Sequence, residues 1–337
     1  MAISFGLFFV AIVVISMYDL SSWTDLDPTV PGITHRYLDE RGDIEDFDDE
    51  EPISTNTTML VGIFTMISDK DADQRQLIRD TYIQQNEDSG RVCHLKKYLK
   101  TGADSGCTLI YAFVAGGRQD GPMMHIDDSM PIALEQSLMP MYRDIDPEDD
   151  VVYLNIKENM EDGKSLTWFK YAASIAEEHG IHYIAKTDSD SYLNLEELLR
   201  VTSYDLPATP SNRRIYGGRP WPDYFGESVY MAGQFYFVSS DLAHYVTNLI
   251  DPYDREKMTS RVEDLDFGKY VMSHHRPIKL ITFHRNLFWM HPLKTRDEWL
   301  NYHRKKSGAV LRDKFGYYQQ LCDVWSKPNY KQSGQNK

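Results

Sequence analysis

The sequence predicts an α/β fold, a mostly parallel sheet flanked by helices in a single catalytic-sized domain. Three observations carry that expectation. Apolar runs of strand length recur along the chain, segments of helical periodicity separate them, and the runs are apolar almost throughout instead of alternating. A strand covered on both faces reads that way. With 337 residues, 42% of them hydrophobic and 26% charged, the chain is an ordinary globular one, and its length admits one large domain or two small ones.

The elements follow in order. TMLVGIFTMI (58–67) reads as the first strand and DADQRQLIRDTYIQQ (71–85) as a helix. TLIYAFVAG (108–116) reads as a strand, residues 129–143 as a helix, and DVVYLNI (150–156) as the next strand. In the helix expected over 164–179, Trp168, Phe169, Ala172, Ile175, Ala176 and His179 fall on one stripe at three- and four-residue steps. The strand IHYIAKT (181–187) comes next, then a helix over NLEELLRV and a later one over EDLDFGKYVM.

Ahead of the domain, residues 3–17 (ISFGLFFVAIVVISM) carry no charged side chain. Fifteen residues is short of the roughly 20 that a spanning helix needs. Two readings stand: a signal-anchor that leaves the bulk of the protein in a lumen, or a secretory signal cut near Ser16. A buried helix fits less well, because the run is apolar on every face. Either main reading sends the rest of the chain into the secretory pathway. The net charge of -15 is concentrated, since residues 39–51 hold nine acids against Arg41. Twelve acids and two bases precede Pro52, which leaves 34 bases and 39 acids, or -5, for everything after it. The acidity thus belongs to a solvated, flexible stem. We divide the chain into a membrane or signal segment (1–18), an acidic stem (19–56), the catalytic domain (57–325) and a frayed tail (326–337).

Asn56-Thr57-Thr58 is the one N-x-Ser/Thr sequon. Three cysteines, Cys93, Cys107 and Cys322, exclude a disulfide scaffold and a cysteine zinc site but allow one bridge; Cys93 to Cys107 would close a short loop. The eight basic residues from Arg304 onward are scattered among polar residues. They make no nucleic-acid patch.

The stretch KTDSDSYLN places Asp188 and Asp190 one residue apart where a buried strand ends. Ligands of such sheets bind beyond the carboxyl ends of the strands, and two hard oxygens there suit Mg²⁺ or Mn²⁺. A calcium EF-hand fails, because its sixth position would be Leu193 instead of Gly and its twelfth Leu199 instead of Glu. The plainer reading is a turn that caps the following helix through Asn194.

Further segments bear on the choice: QRQLIRDTY (74–82), SLTWFKYA (165–172), YMAGQFYFVSS (230–240) and EDL (263–265). Together with KTDSDSYLN, and in this order, they resemble the motifs of the inverting β1,3-galactosyltransferase and Fringe-type enzymes, glycosyltransferase family 31, from about Met59 to Trp299. That resemblance implies a GT-A fold, a UDP-sugar donor, Mn²⁺ or Mg²⁺ as cofactor and a glycan or glycoprotein acceptor. It implies Asp190 on the metal, Asp188 on the metal or near the nucleotide ribose, and a histidine from the C-terminal side, His291 in preference to His284. The family's general base falls on Asp264, with Glu263 its competitor. Arg75 and Arg79, four apart on one helix face, and Lys186 would meet the anionic nucleotide. Gly233 would let backbone approach the sugar. Trp221, Tyr224 and Phe225 offer flat faces for stacking on a sugar.

The sequence departs from the family pattern at Gln74, Tyr82, Ser189, Met231, Gln234 and Phe235. The expectation is therefore a Golgi-anchored, or else secreted, inverting hexosyltransferase that moves galactose or GlcNAc in β1,3 linkage. A non-catalytic glycan-binding or chaperone-like member of the fold is the alternative. A metal-dependent phosphohydrolase would need more metal ligands than the sequence supplies.

Overall fold

The computed structural model describes residues 57–307, apart from residues 88, 103–105, 126, 136–147, 160–162, 223–228 and 284–288. The strands are β1 (Met59–Phe64), β2 (Val92–His94), β3 (Leu109–Arg118), β4 (Ala133–Leu134), β5 (Val151–Lys157), β6 (Tyr183–Asp188), β7 (Tyr192–Leu193), β8 (Ile215–Pro222), β9 (Val229–Ser239), β10 (Lys279–Thr282) and β11 (Trp289–Met290). The helices are α1 (Asp69–Ile78), α2 (Leu95–Thr101), α3 (Lys164–His179), α4 (Leu195–Tyr204), α5 (Ser240–His244), α6 (Pro252–Met258), α7 (Glu263–Met272) and α8 (Arg296–Ser307).

One sheet runs in the order β10-β8-β9-β6-β1-β3-β5-β4, with β2 also against β3. Strands β6, β1, β3 and β5 are mutually parallel, β9 runs antiparallel to β6, and β4 antiparallel to β5. All six residues of β1 are buried, as expected for a strand with neighbours on both edges and helices on both faces. The fold is thus the mixed, mostly parallel α/β domain that the sequence predicts. One core layer holds Trp168, Phe169, Tyr236 and Phe267; the opposite layer holds Tyr82, Phe235, Phe237 and Trp299.

Close packing fixes two glycines. A Cβ on Gly62 would lie 2.4 Å from the Trp168 ring, so only glycine lets α3 sit this close to β1. The Trp168 indole N–H donates to the Ala185 carbonyl at 3.0 Å, which ties α3 to the strand that carries Asp188. A Cβ on Gly268 would meet Tyr230 Cβ at 2.3 Å. That contact seats α7 against β9.

Three local expectations change. Ala133 and Leu134, read as helical, form a strand on β5, and Asn155 N–H donates to the Ile132 carbonyl at 2.8 Å. Pairing the exposed edge of β5 outweighs helical periodicity there. Residues 136–147 of that expected helix lie outside the described residues. The helix read over 71–85 changes to a π-type turn at Arg79–Ile83, where the Thr81 hydroxyl donates back to the Leu77 carbonyl at 2.6 Å. Asn194 stands at the start of α4, but its side chain makes no capping bond there.

Cys93 and Cys107 form a disulfide with a Cα–Cα distance of 6.1 Å and a sequence separation of 14, tying the end of β2 to the start of β3. Closing a loop of that size contributes about 3 kcal/mol in the chain-entropy account. The acidic stem, Asn56, the N-terminal apolar run and Cys322 lie outside the described residues. No helix among the described residues is long and apolar enough to cross a membrane.

Candidate active site and metal centre

The parallel register sets Phe64 beside Asp188, so the acidic turn leaves the sheet at the carboxyl end of its central strands. Ser189 N–H donates to the Phe64 carbonyl at 3.1 Å, and Ser191 N–H to the Asp188 carbonyl at 3.0 Å. The Gln74 side-chain amide donates to the Ser189 carbonyl at 3.0 Å. Antiparallel pairing of β7 with β11 then carries His291 alongside the turn. Its Nδ1 lies 3.0 Å from Asp190 Oδ1 and 3.1 Å from the Ser191 hydroxyl, and Leu293 N–H donates to the Asp190 carbonyl at 2.9 Å.

Asp188, Asp190 and His291 each offer a ligand atom within 4.8 Å of the others. Two carboxylates and one imidazole suit Mn²⁺, with Mg²⁺ the harder alternative. The Lys294 ammonium is on Asp190 Oδ2, which shows that this oxygen accepts a cation. Burial of Asp190 pushes its pKa up, but the hydrogen bonds and charges of His291 and Lys294 outweigh that and bring it down to about 2. Asp190 is therefore a ready anion at neutral pH.

Lys186 is 3% exposed. Its ammonium lies 3.0 Å from Asp188 Oδ1, Glu263 Oε2 and the Gly233 carbonyl alike. The Asp188 contact is an ion pair with poor hydrogen-bond alignment, since that oxygen has no directed donor. Burial works against the charge on Lys186, but Asp188 and Glu263 outweigh it and hold its pKa above the ordinary lysine value. Glu263 is used at both oxygens, accepting from the Tyr236 hydroxyl at 2.6 Å and from Lys186. Glu263, expected as the competitor for the base, thus braces Lys186 and Tyr236, with one oxygen on a cation, whereas Asp264 meets only backbone N–H groups.

Asp264 is different. Its Oδ2 accepts from Gly233 N–H at 3.0 Å and its Oδ1 from its neighbour Leu265 N–H at 2.9 Å, so each oxygen keeps a lone pair. Burial and the adjacent Glu263 charge raise its pKa above the ordinary aspartate value, against the pull of Gly233 N–H and Lys186. A Cβ on Gly233 would lie 3.3 Å from Lys186 Nζ and 3.4 Å from Asp264 Oδ2. An added Cβ would therefore press only lightly on the end of Lys186 and make ordinary contact with Asp264. At the next position the Gln234 carbonyl accepts from the Thr187 hydroxyl at 2.7 Å, while its amide Oε1 is buried without a partner among the described residues.

The two arginines converge, but on protein. Arg75, 4% exposed, donates to Glu148 through Nε and a terminal nitrogen, and to the Thr65 hydroxyl and Met66 carbonyl. Arg79 pairs with Glu148 and Asp150. Where the sequence expected them to meet a nucleotide, both guanidinium groups brace the approach to β5, and the acids they pair with are Glu148 and Asp150, not the nearer Asp73 or Asp80. Lys164 is a second buried ammonium, on the Thr65 carbonyl at 2.6 Å and Glu158 at 2.7 Å. Beyond its place at a helix start, no sequence signal singles it out, and none singles out Lys294. Trp221 is 39% exposed, with the Arg219 guanidinium 5.2 Å from its ring centre; His284, Tyr224 and Phe225 lie outside the described residues.

The acidic turn and its facing histidine, beyond the strand ends of a mixed α/β sheet, form a group that could hold a divalent cation. Residues 73–224 match the family model described as Galactosyltransferase. The matched stretch, 152 of the 337 residues, supports a UDP-sugar glycosyltransferase of the galactosyltransferase family. The match includes Asp188 and Asp190 and ends before Gly233, Asp264 and His291. No curated protein matches the chain. The disulfide and the family together support the secretory pathway.

Proposed function

We propose that the protein is an inverting β1,3-hexosyltransferase, with Asp264 as general base and Asp188, Asp190 and His291 as the metal-binding group. Its donor is a UDP-sugar, UDP-galactose or UDP-GlcNAc, and its acceptor a hydroxyl of a glycan or glycoprotein. Residues 3–17 anchor it in the Golgi membrane with the domain in the lumen. The observation that carries this reading is Asp264, held by Gly233 N–H beside Lys186, with Lys186 in turn on Asp188.

The acceptor hydroxyl gives its proton to an Asp264 oxygen as its own oxygen bonds to the sugar C1. The bond from C1 to the β-phosphate oxygen breaks, and its electron pair leaves with UDP. Attack opposite the leaving group inverts C1. Raising the pKa of Asp264 makes it a better proton acceptor near neutral pH. Bound by the acidic turn and His291, Mn²⁺ or Mg²⁺ would supply positive charge for the departing diphosphate. Lys186, through its contacts with Asp188, Glu263 and Gly233, holds the acidic turn in fixed relation to the base.

The test is a screen of UDP-sugars against acceptor glycans with and without Mn²⁺, with the anomeric configuration of the product read by NMR. The reading expects a β product from an α-linked donor and no transfer by Asp190→Ala. Sugar released only to water, or an Asp190→Ala enzyme with wild-type activity, overturns it.

A further inference from the structure

A groove of about 720 Å³ lies between the N-terminal half of α3 and the segment from Thr247 to Arg261. That size suits a short oligomeric ligand. None of its lining residues belongs to the acidic turn or the base, but the chain links the groove to both. Arg261, at one end of the groove, precedes Asp264 by three residues, a reach of at most about 10 Å of chain. At the other wall, Leu166 and Lys170 lie on α3, whose first residue Lys164 donates to the Thr65 carbonyl just past β1.

Two features of the groove go unused within the protein. His125 lines it and is 7% exposed. Its Nε2 lies 3.0 Å from the Met130 carbonyl, an acceptor, so Nε2 carries the proton and Nδ1 is left as a bare acceptor. That Nδ1 is buried with no partner among the described residues, a condition a ligand hydroxyl would relieve. Arg261 adopts a left-handed backbone, φ 66°, which disfavours a residue with a side chain. Asp266 pins it there, accepting from Arg261 N–H at 2.8 Å and Ser260 N–H at 2.7 Å. The Arg261 guanidinium makes no hydrogen bond or ion pair among the described residues. A strained turn thus presents a spare donor at the mouth of the groove.

We infer that this groove holds the sugar units of an oligosaccharide acceptor behind the hydroxyl that is glycosylated; the inference rests on the reading of Asp264 as base. The lining suits that occupant. Asn248, Arg255 and His125 place polar groups beside apolar surface that includes Leu166 and Ile250, the mix that the faces of a sugar ring require. An acyl chain would lie against the charged groups of Asp128, Lys170, Glu256 and Arg261, and a polypeptide strand would need an open strand edge to pair with. The groove is walled by helices and turns.

The test takes methyl glycosides of galactose and GlcNAc and their di- to tetrasaccharide extensions, and compares wild type with Leu166→Trp, which places an indole across the groove's apolar wall, and Arg261→Ala. Saturation-transfer NMR reads oligosaccharide binding without donor, and transfer assays read the ratio of kcat/KM for the longest to the shortest acceptor. We expect that ratio to be about tenfold or more in the wild type, the value of one well-made hydrogen bond at a buried acceptor, and about one in both variants. Binding signals from the added units should vanish with Leu166→Trp. A wild-type ratio near one, or a ratio and binding signal that survive both substitutions, overturns the groove as acceptor site, as does transfer that requires an attached peptide or lipid. Oligosaccharide binding lost in the variants, in a protein that transfers no sugar from any UDP donor, would leave the groove standing and remove the proposed activity instead. UDP and Mn²⁺ binding by calorimetry shows whether each variant is folded.

Discussion

Replacing Lys186 by Met keeps the aliphatic stem and removes the ammonium. The side chains that lose it are Asp188 and Glu263, each 3.0 Å from Nζ, with side-chain exposures of 23% and 15%. Removing one partner of a buried ion pair costs about 3–5 kcal/mol. The partial access of water to both carboxylates places this case at the lower end, about 3 kcal/mol. At about 2–4 °C per kcal/mol for a domain of this size, the melting temperature should fall by about 6–12 °C. The sign against pH also follows. A lysine whose folded pKa is raised contributes stability that is complete below its unfolded pKa and is lost as pH rises through the folded one. The deficit of Lys186→Met should therefore be constant from pH 6 to pH 9 as far as this group is concerned, because both values lie above that range. Circular-dichroism melts of the variant, and of Lys186→Met with Glu263→Gln, make the assay. The double variant should lose less, since neutral Gln retains an acceptor for Tyr236 without a stranded charge. A single variant within about 2 °C of wild type, beneath the effect of 1 kcal/mol, would refute the claim that Lys186 neutralises the acidic turn.

Other perturbations separate the base, the metal group and the scaffold. Gly268→Ala forces α7 away from Tyr230, where the added Cβ would meet another at 2.3 Å; with Asp264 displaced by about 1 Å, kcat should drop by about 10²-fold, while UDP and Mn²⁺ affinity, read by calorimetry, stays near wild type. Asp264→Asn should cost about 10²–10⁴-fold in transfer. In the wild type, activity should rise with pH through an acid limb above the ordinary aspartate pKa of 3.8, a limb that the variant's residual rate lacks. The same raised pKa makes Asp264 a source of stability at low pH that is lost as pH rises through its folded value, opposite in sign to its effect on rate. Lys294→Gln removes the ammonium from Asp190 Oδ2. Because that lysine side chain is 68% exposed, the competing pair is screened, and Mn²⁺ binding measured by paramagnetic resonance should tighten by no more than about fivefold.

Periodicity and apolar runs were enough for the sheet. The strand at 59–64, the stripe of Trp168, Phe169, Ala172 and Ala176, and the helix from Glu263 all follow from local pattern. Edge pairing did not show: Ala133 and Leu134 look helical until β5 is present to be paired. In the site, the carboxylates were legible because two acids at the end of a buried strand demand an explanation. Their partners were not, since Glu148 and Asp150 are about 70 residues from Arg75 and Arg79, and the sequence offered nearer acids for both. Glu263 and Asp264 are adjacent and chemically alike. Only the Tyr236 hydroxyl and Lys186 on one, and the Gly233 amide on the other, give them different work.

The central claim is that Asp188, Asp190 and His291 act together to hold a dication and, through it, a nucleotide diphosphate. Calorimetric titration of UDP into the protein, with Mn²⁺ and with chelator, tests it most directly, alongside Asp190→Ala and His291→Ala. The account predicts binding that requires Mn²⁺ in the wild type, is absent in Asp190→Ala and is weakened in His291→Ala. Equal UDP affinity with and without the metal, or binding in Asp190→Ala that matches the wild type, would contradict it.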